Sequence, residues 1–276
     1  MVNREFANNI AIQLQNILGL NYSISITDVT KTNDLQLTGI TIHEPGINMA
    51  PTIYLEGYEG WELNDICDDI LDIYEQNKLN EPVDVKWFND FDNVSSKIIF
   101  RLVNTDRNTN LLKASPSIPF LDLSIIFYIY VADGMLVLIK NEHMNMWDTS
   151  VDELYSLAKA NTPKLMPYQL KNLMEIIPVA FDDISDKMFV LSNTAYIGGA
   201  GAILYSHVFD SFDSNLFILP SSIHETILLR ASCLEHASEL KEIVCSINET
   251  VLSVEDFLSD NVYYYDKDTK AITIAE

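Results

Sequence analysis

The tightest grouping of reactive side chains is the segment Ser221-Ser222-Ile223-His224-Glu225. A serine nucleophile, a histidine base and a carboxylate that orients the base are the groups of an acyl-transfer triad. Ser222, His224 and Glu225 therefore support one hypothesis, a hydrolase-like or ligand-binding enzyme. Triad members normally come from distant parts of a chain, and adjacent residues of a strand face opposite sides. We favour the alternative that Pro220-Ser221-Ser222 is a hairpin turn whose serine oxygens accept local backbone N–H bonds.

A row of carboxylates is the second feature with chemical meaning. Apolar residues recur at helical spacing from Trp61 to Gln76 and predict an amphipathic helix. Six acidic residues fall along its opposite side, namely Glu62, Asp65, Asp68, Asp69, Asp72 and Glu75. From Glu56 to Glu75 there are eight acids and no base. This face is either a solvated surface or a docking surface for a basic partner.

Two further motifs carry weaker signals. Gly198-Gly199-Ala200-Gly201 lies between a predicted strand and a predicted helix, where backbone N–H groups could bind an anion. It lacks the spacing of a phosphate-binding loop, so we interpret it as close packing of the helix start against the sheet. Neighbouring His/Glu pairs also lack the histidine spacing of a zinc helix, and we predict no metal and no cofactor. These pairs are His43-Glu44, Glu142-His143, His224-Glu225 and Glu235-His236.

The whole chain is acidic. Forty Asp and Glu against seventeen Lys and Arg give a formal net charge of −23, although 48% of the residues are hydrophobic. A disordered acidic tail would be poor in apolar residues, so this charge covers the surface of a folded protein. Residues 1–138 carry net −11 and residues 139–276 carry net −12. Such a surface repels phosphate backbones and anionic lipids, which argues against direct binding to nucleic acid or membranes.

Cysteine usage and hydropathy indicate a cytoplasmic protein. Cys67, Cys233 and Cys245 are odd in number and lack close metal-ligand pairing, which predicts reduced thiols. Polar side chains interrupt the first twenty residues, which lack the apolar block of a signal peptide. The most hydrophobic stretch, Leu121–Ile139, is broken at Ala132-Asp133-Gly134 and predicts a buried β-hairpin, not a membrane span.

Periodicity predicts the elements that must position these groups. The N-terminal part contains a helix over residues 2–18, a hairpin of Tyr22–Thr30 with Leu35–His43, and a strand at Thr52–Glu56. In the middle of the chain the predicted helices are Val83–Asp90, Val94–Asn104, Ser150–Ala160 and Tyr168–Ile177. From Lys187 on, the prediction is strand 187–192, helix 200–212, strands 215–219 and 223–229, helix 235–248 and strand 261–265.

This order predicts an α+β fold with mixed or antiparallel sheets. A β-α-β-β-α-β order in the C-terminal part is typical of the ferredoxin-like pattern. A chain of 276 residues can form a single compact body, residues 1–276. We expect one such body with two possible lobes, an N-terminal α+β lobe over residues 1–180 and a βαββαβ-like lobe over residues 181–276. The oligomeric state stays open.

Several segments resemble one uncharacterised bacterial family. They are Met188–Asn193, Gly199–Ala202, Leu216–Glu225 and Leu258–Asp266, with a central block containing Asn104, Asp106, Asn108, Leu111, Pro116, Asp152-Glu-Leu and Asn161-Thr162. The pattern is similar to the bacterial domain of unknown function 5688 over roughly residues 35–268. The resemblance implies an origin in Gram-positive gut anaerobes and their mobile elements. It implies no activity and no catalytic residue.

The leading functional hypothesis is a non-enzymatic cytoplasmic protein that docks a basic protein partner through its negative surface. The mobile-element setting suggests an anti-defence inhibitor that mimics nucleic acid. The Ser222-His224-Glu225 enzyme is the alternative from a different class. A third possibility is a housekeeping or regulatory module whose acidity serves solubility alone.

Overall fold

The computed structural model describes residues 2–82, 86–132, 135–176, 187–220, 222–233 and 237–275. The chain divides into two compact units, Met1–Trp87 and Phe88–Glu276. The predicted lobe boundary near residue 180 is not where this division falls, because Tyr168–Asn172 pairs as a strand with Met188–Asn193 across it. The expectation of a single body stays a prediction.

The described residues of the smaller unit form two α-helices and a three-stranded antiparallel sheet. Its elements are α1 (Arg4–Leu18), β1 (Ser23–Thr30), β2 (Gln36–His43), β3 (Thr52–Tyr54) and α2 (Leu63–Asn77), with a 3₁₀ turn at Thr32–Asp34. The sheet order is β1-β2-β3. These elements confirm the predicted N-terminal helix, the hairpin, the short strand and the amphipathic helix.

Local sequence signals explain where α1 begins and ends. The side chain of Asn3 accepts a hydrogen bond from the backbone N–H of Glu5 at 2.9 Å and caps the first turn. Gly19 adopts φ +77 at the C-terminal end, and its N–H donates to the carbonyl of Gln15. Apolar side chains of α1, β2 and α2 then form one buried cluster, which includes Ala7, Ile10, Leu14, Ile40, Ile42, Ile66, Ile70 and Tyr74.

The part of the larger unit that the structure describes forms two antiparallel sheets and several helices. Its strands are β4 (Ile98–Asn104), β5 (Ser117–Phe120), β6 (Leu123–Ala132), β7 (Met135–Leu138), β8 (Tyr168–Asn172), β9 (Met188–Asn193), β10 (Leu216–Leu219), β11 (Thr226–Arg230), β12 (Tyr263–Asp266) and β13 (Ala271–Ile274). Its α-helices are α3 (Phe91–Ser95), α4 (Thr109–Ala114), α5 (Asn141–Trp147), α6 (Val151–Leu165), α7 (Leu173–Ile176) and α8 (Ala237–Thr250). The 3₁₀ segments of the chain beyond residue 82 are Lys86–Asn89, Asp106–Asn108, Gly199–Leu204 and Ala231–Cys233. The α+β fold class is therefore confirmed.

The six-stranded sheet departs from the ferredoxin-like pattern. Its order is β13-β12-β10-β11-β9-β8, so the β10–β11 hairpin occupies the centre and β12 pairs with β10. A ferredoxin-like sheet would place the first strand of the motif, here β9, between the third and fourth strands. The edge of β9 that faces away from β11 is occupied by β8, so β12 cannot pair there. The ferredoxin-like prediction is wrong in topology, although all the strand pairs are antiparallel as expected.

Four predicted helices do not form α-helices over their predicted ranges. Val94–Asn104 contains the strand β4. Ile98, Ile99 and Phe100 are all buried, and a strand buried on both faces shows no alternation of polar and apolar residues, so its sequence lacked the strand signal. Tyr168–Ile177 begins as β8 and becomes helical only at Leu173. In place of helix 200–212 the structure has the short 3₁₀ segment Gly199–Leu204. Val83–Asp90 contributes the 3₁₀ segment Lys86–Asn89, and residues 83–85 lie outside the described residues.

The predicted hairpin of Leu121–Ile139 is confirmed. β6 and β7 pair antiparallel, and the inner residues of β6 are buried. Within the described residues, no helix has both the length and the apolar character needed to cross a bilayer.

The carboxylate of Asp122 connects the two sheets of the larger unit. Asp122 precedes β6, and its oxygens accept hydrogen bonds from Ser259 Oγ at 2.6 Å, Asn261 Nδ2 at 3.1 Å and Tyr263 OH at 2.5 Å. Tyr263 is fully buried in β12, and burial together with this bond raises its pKa. Leu121, with φ +56, turns the chain so that Asp122 can meet all three donors.

We predict that Asp122→Ala lowers the free energy of unfolding of the larger unit by about 3 kcal/mol, because three donors lose their acceptor in a half-buried setting. Urea denaturation measures this change. Asp268→Ala is the control, since that side chain is 83% exposed and its loss should change stability by less than about 0.5 kcal/mol. Equal effects of the two substitutions would contradict the assigned role of Asp122.

Candidate functional site

The acidic face of α2 comprises Glu62 at its N-cap and Asp65, Asp68, Asp69, Asp72 and Glu75 within the helix. Five of the six side chains are exposed, and Asp69 is half-buried. Lys78, just past the helix, pairs with Glu75 at 2.9 Å. No other ion pair to these six carboxylates occurs among the described residues. The structure therefore brings the predicted carboxylates together on one exposed surface.

Asp69 has a different environment from the other five carboxylates. Its Oδ2 accepts a short hydrogen bond from the hydroxyl of Tyr58, whose ring is buried. Burial and this bond raise the pKa of Tyr58. Asp69 therefore helps to attach the helix to the segment before it, and the outward charge comes mainly from the other five.

The opposite face of α2 fixes the helix in the smaller unit. Ile66, Cys67 and Ile70 are completely buried. The hydroxyl of Tyr74 donates to Glu44 at 3.1 Å, and burial followed by this bond raises the pKa of Tyr74 to about 12. This apolar packing offsets the repulsion between neighbouring carboxylates, which costs about 0.2–0.5 kcal/mol for each i,i+4 pair.

Two large apolar side chains lie at the N-terminal end of the acidic face. Trp61 is 54% exposed and Leu63 is 38% exposed. The Trp61 ring meets the buried Tyr58 ring edge to face, with the centroids 5.5 Å apart. An exposed tryptophan supported from beneath is the type of residue that dominates binding energy at protein interfaces. The sequence prediction began the helix at Trp61 and gave this residue no binding role. The structure places it before the N-cap Glu62, with its ring exposed.

The residues of the Ser222-His224-Glu225 hypothesis have separate partners. Ser222 Oγ accepts the backbone N–H of His224 at 3.0 Å, which is the local turn bond expected of a hairpin serine. Ser221 lies outside the described residues. The two strands on either side, β10 and β11, pair antiparallel, so this segment is the predicted hairpin connection.

Both ring nitrogens of His224 have partners. Nε2 lies 3.0 Å from Asp256 Oδ1, and Nδ1 lies 3.4 Å from the backbone nitrogen of Gly198. The other oxygen of Asp256 accepts from Ser253 Oγ at 2.8 Å. A neutral imidazole that donates from Nε2 and accepts at Nδ1 satisfies both bonds. That arrangement leaves no ring nitrogen to activate Ser222, and it uses His224 to tie the glycine segment to residues 253–256.

Glu225 faces a different part of the molecule. It lines a cavity of about 220 Å³ together with Lys171, Glu175 and Tyr196. Lys171 Nζ donates to Tyr196 OH at 2.9 Å, and this bond, with one from Gln169, lowers the pKa of Tyr196. Glu225 was a candidate residue in the sequence, whereas Lys171 and Tyr196 were not. No spacing signal could have found them, because the three residues come from separate segments.

The glycine segment packs closely against its neighbours, in agreement with its interpretation as a packing device. A Cβ on Gly198 would lie 2.4 Å from Nε of Arg101, and one on Gly199 would lie 2.4 Å from the carbonyl oxygen of His224. The Arg101 side chain is held between Gly198 and the ring of Tyr128, 5.2 Å from the ring centroid. Burial lowers the pKa of Arg101.

The side chains of the remaining His/Glu pairs do not come together at one site. His43 Nε2 contacts Ser25 Oγ at 2.9 Å, and Glu44 accepts from Tyr74. His143 Nε2 lies 3.8 Å from Glu142, and Glu235-His236 lies outside the described residues. Across the part of the chain that the structure describes, no group of three or more His, Cys, Asp or Glu side chains could hold a metal ion.

Comparison with protein families gives a match along most of the chain. The model described as "Family of unknown function (DUF5688)" matches residues 3–267. Neither the comparison with curated proteins nor that with solved structures gives a match.

We predict that Tyr74→Phe removes part of the alkaline sensitivity of the smaller unit. The folded pKa of Tyr74 lies above the ordinary value of 10.0, at about 12, so its contribution to stability is complete below pH 10 and is lost as pH rises toward 12. Urea denaturation over this range measures the effect. Tyr168→Phe is the control, because that ring is 41% exposed. If both variants lose stability as steeply as the parent, this account of Tyr74 is wrong.

We also predict that Gly199→Ala destabilises the larger unit by about 3 kcal/mol, because the new methyl group would overlap backbone atoms of β9 and His224. The added Cβ would lie 2.7 Å from the nitrogen of Asn193. Gly201→Ala is the matched control, since its nearest neighbour is the ring of Phe100 at 3.3 Å and the ring can adjust. Thermal unfolding compares the two, and a larger loss for Gly201→Ala would contradict the packing role of Gly199.

Proposed function

We propose that this chain, which belongs to the family of unknown function DUF5688, is a binding protein that presents the acidic face of α2 to a basic protein partner. The observation that carries the proposal is the combination of five exposed carboxylates with the exposed Trp61 at one end of the same surface. Carboxylates accelerate the approach of a basic partner, and an aromatic anchor slows its release.

The distribution of charge favours the smaller unit, which contains α2, as the region that docks a basic partner. Residues 1–87 hold fourteen acidic and four basic side chains, whereas residues 88–276 hold twenty-six and thirteen. The acid-to-base ratio is therefore 3.5 in the smaller unit and 2 in the larger one. A surface used only for solubility needs neither this concentration of charge nor an exposed tryptophan beside it.

The proposal also includes the cellular location and biological origin of the protein. A cytoplasmic protein from mobile elements of Gram-positive gut anaerobes would meet basic host proteins that bind nucleic acid. A row of helical carboxylates could then occupy the channel of such a protein in place of a phosphate backbone, which makes the partner a target of anti-defence inhibition.

An enzymatic function based on Ser222, His224 and Glu225 has less support. Ser222 Oγ is bonded to a backbone N–H, the His224 ring is bonded on both sides, and Glu225 lines a separate cavity. These contacts match a structural connection between strands. The arrangement gives no nucleophile and base within reach of each other, which is the geometric requirement of that chemistry.

The experiment is affinity capture from a host extract, followed by measurement of the purified complex. We expect the parent chain to bind a basic protein whose affinity falls at least tenfold between about 50 mM and 200 mM salt, because screening weakens exposed charge pairs. The triple variant Asp65→Lys, Asp68→Lys, Asp72→Lys should lose binding, and Trp61→Ala should weaken it by raising the dissociation rate.

The matched control reverses three exposed acids on another helix. Glu239, Glu242 and Glu249 of α8 are exposed, and changing all three to Lys alters the net charge equally. This control should retain the partner. Equal loss with both triple variants would mean that overall charge matters and the acidic face does not. A complex indifferent to salt would also contradict the proposal.

A further inference from the structure

The cavity beside Glu225 lies on one face of the six-stranded sheet. Gln169 and Lys171 lie two residues apart on β8, and Val190 and Ser192 lie two residues apart on β9. Because residues i and i+2 of a strand point to the same side, these four side chains share one face of the sheet. In the register of the sheet Gln169 is opposite Ser192 and Lys171 is opposite Val190. The sheet therefore provides a rigid floor, and Tyr196 and Glu225 extend from the connections at its edge.

The cavity combines charges of both signs in a small volume. Lys171 supplies one ammonium group, and Glu175 and Glu225 supply two carboxylates. Among the described residues no Lys, Arg or His forms an ion pair with Glu175 or Glu225. One of the three N–H donors of Lys171 is used on Tyr196, which leaves two to bind a ligand.

Tyr196 is held over the cavity in an unfavourable backbone conformation. Its φ is +54, a region that non-glycine residues rarely adopt and that costs on the order of 1 kcal/mol. The buried side chain of Asn193 imposes this turn, because its Oδ1 accepts from the N–H groups of Ala195 at 3.1 Å and Ile197 at 3.2 Å. Strain of this kind concentrates at sites where a specific side chain is required.

We propose that this cavity binds a small basic α-amino acid of the arginine or lysine type. One carboxylate and two cations on the ligand complement one ammonium and two carboxylates in the protein. The ligand carboxylate contacts Lys171 and the phenol of Tyr196, while its ammonium and side-chain cation contact Glu175 and Glu225. The proposal concerns the larger unit and does not depend on the docking function of α2.

The size of the cavity agrees with this class of ligand. Its volume of about 220 Å³ is below that of sites for drug-sized molecules, roughly 300–1,000 Å³, and suits a metabolite of about a dozen non-hydrogen atoms. The apolar side chain of Val190 is buried on the sheet and can contact the methylene groups of the ligand.

The test is isothermal titration calorimetry of the full chain with three matched probes. L-arginine carries all three charges, L-citrulline lacks the side-chain cation, and agmatine lacks the carboxylate. We expect saturable binding of L-arginine and at least tenfold weaker binding of the other two. No saturable heat with L-arginine overturns the proposal. Equal binding of agmatine also overturns it, because agmatine keeps both cations, and the site would then recognise cations without a ligand carboxylate.

Two variants test which residue contacts the carboxylate of the ligand and which contacts its side-chain cation. Lys171→Met should abolish the preference for L-arginine over agmatine, and Glu225→Gln should reduce the preference over L-citrulline. Lys164→Met, an exposed lysine on α6, is the control and should bind as the parent does. If Lys171→Met binds L-arginine as the parent does while retaining the preference, the assignment is wrong.

A further variant separates binding from folding. Asn tolerates positive φ, so Tyr196→Asn should keep or raise the melting temperature while it weakens L-arginine binding at least tenfold. Normal binding by this variant, or a lower melting temperature, would contradict the role given to the strained tyrosine.

Discussion

The larger unit depends on one hydrogen-bonded connection that begins at the carboxylate of Asp122. This group holds Ser259, Asn261 and Tyr263, and so fixes the chain that enters β12. From Ser259 the connection continues through its N–H to the carbonyl of Pro220 at 3.0 Å. Because Asp122 precedes β6 and Pro220 follows β10, the two sheets are joined through polar contacts as well as apolar packing. A half-buried carboxylate with three donors tolerates little change in geometry, so it strongly constrains the position of the chain that enters β12.

The same connection positions the cavity proposed to bind a ligand. Residues 253–257 pair with the segment after Pro220, through the N–H of Ile223 to Asp256 and through the His224–Asp256 contact. His224 and Ile223 in turn hold Gly198 and Ala200. Gly198 follows directly on the Tyr196 turn, so the position of Tyr196 depends on contacts that begin far away in the sequence. In this view His224 is a positioning residue, and its clustering with Ser222 and Glu225 reflects the turn that all three share.

Local sequence patterns predicted the elements with one polar face, and also the β6–β7 hairpin and β10, but they failed for β4 and β8. α1, α2 and the β1–β2 hairpin each have one polar face, so periods of 3.6 and 2 were visible. β4 has no polar face apart from Arg101, and β8 is too short to show alternation. The sheet order could not be predicted either, because it depends on which strand occupies the free edge of β9, and β8 had been interpreted as a helix. The acidic face was predictable because its residues lie on one helix, whereas Lys171, Tyr196 and Glu225 meet only after folding.

The two proposed sites use charge in opposite ways, and this distinction explains how one chain can carry both. Five of the six α2 carboxylates are exposed, and among them Glu75 alone has an ion-pair partner within the described residues, so their attraction extends into solvent and is screened over roughly 10 Å at 0.1 M salt. In the cavity, one ammonium group and two carboxylates line the same small volume, so a ligand that enters meets charges of both signs at short range. The net charge of −23 is a sum over the whole chain and does not reveal the lysine in the second site. A chain that is strongly acidic overall can still recognise a ligand carboxylate, provided that one lysine is held by a hydrogen bond such as that to Tyr196.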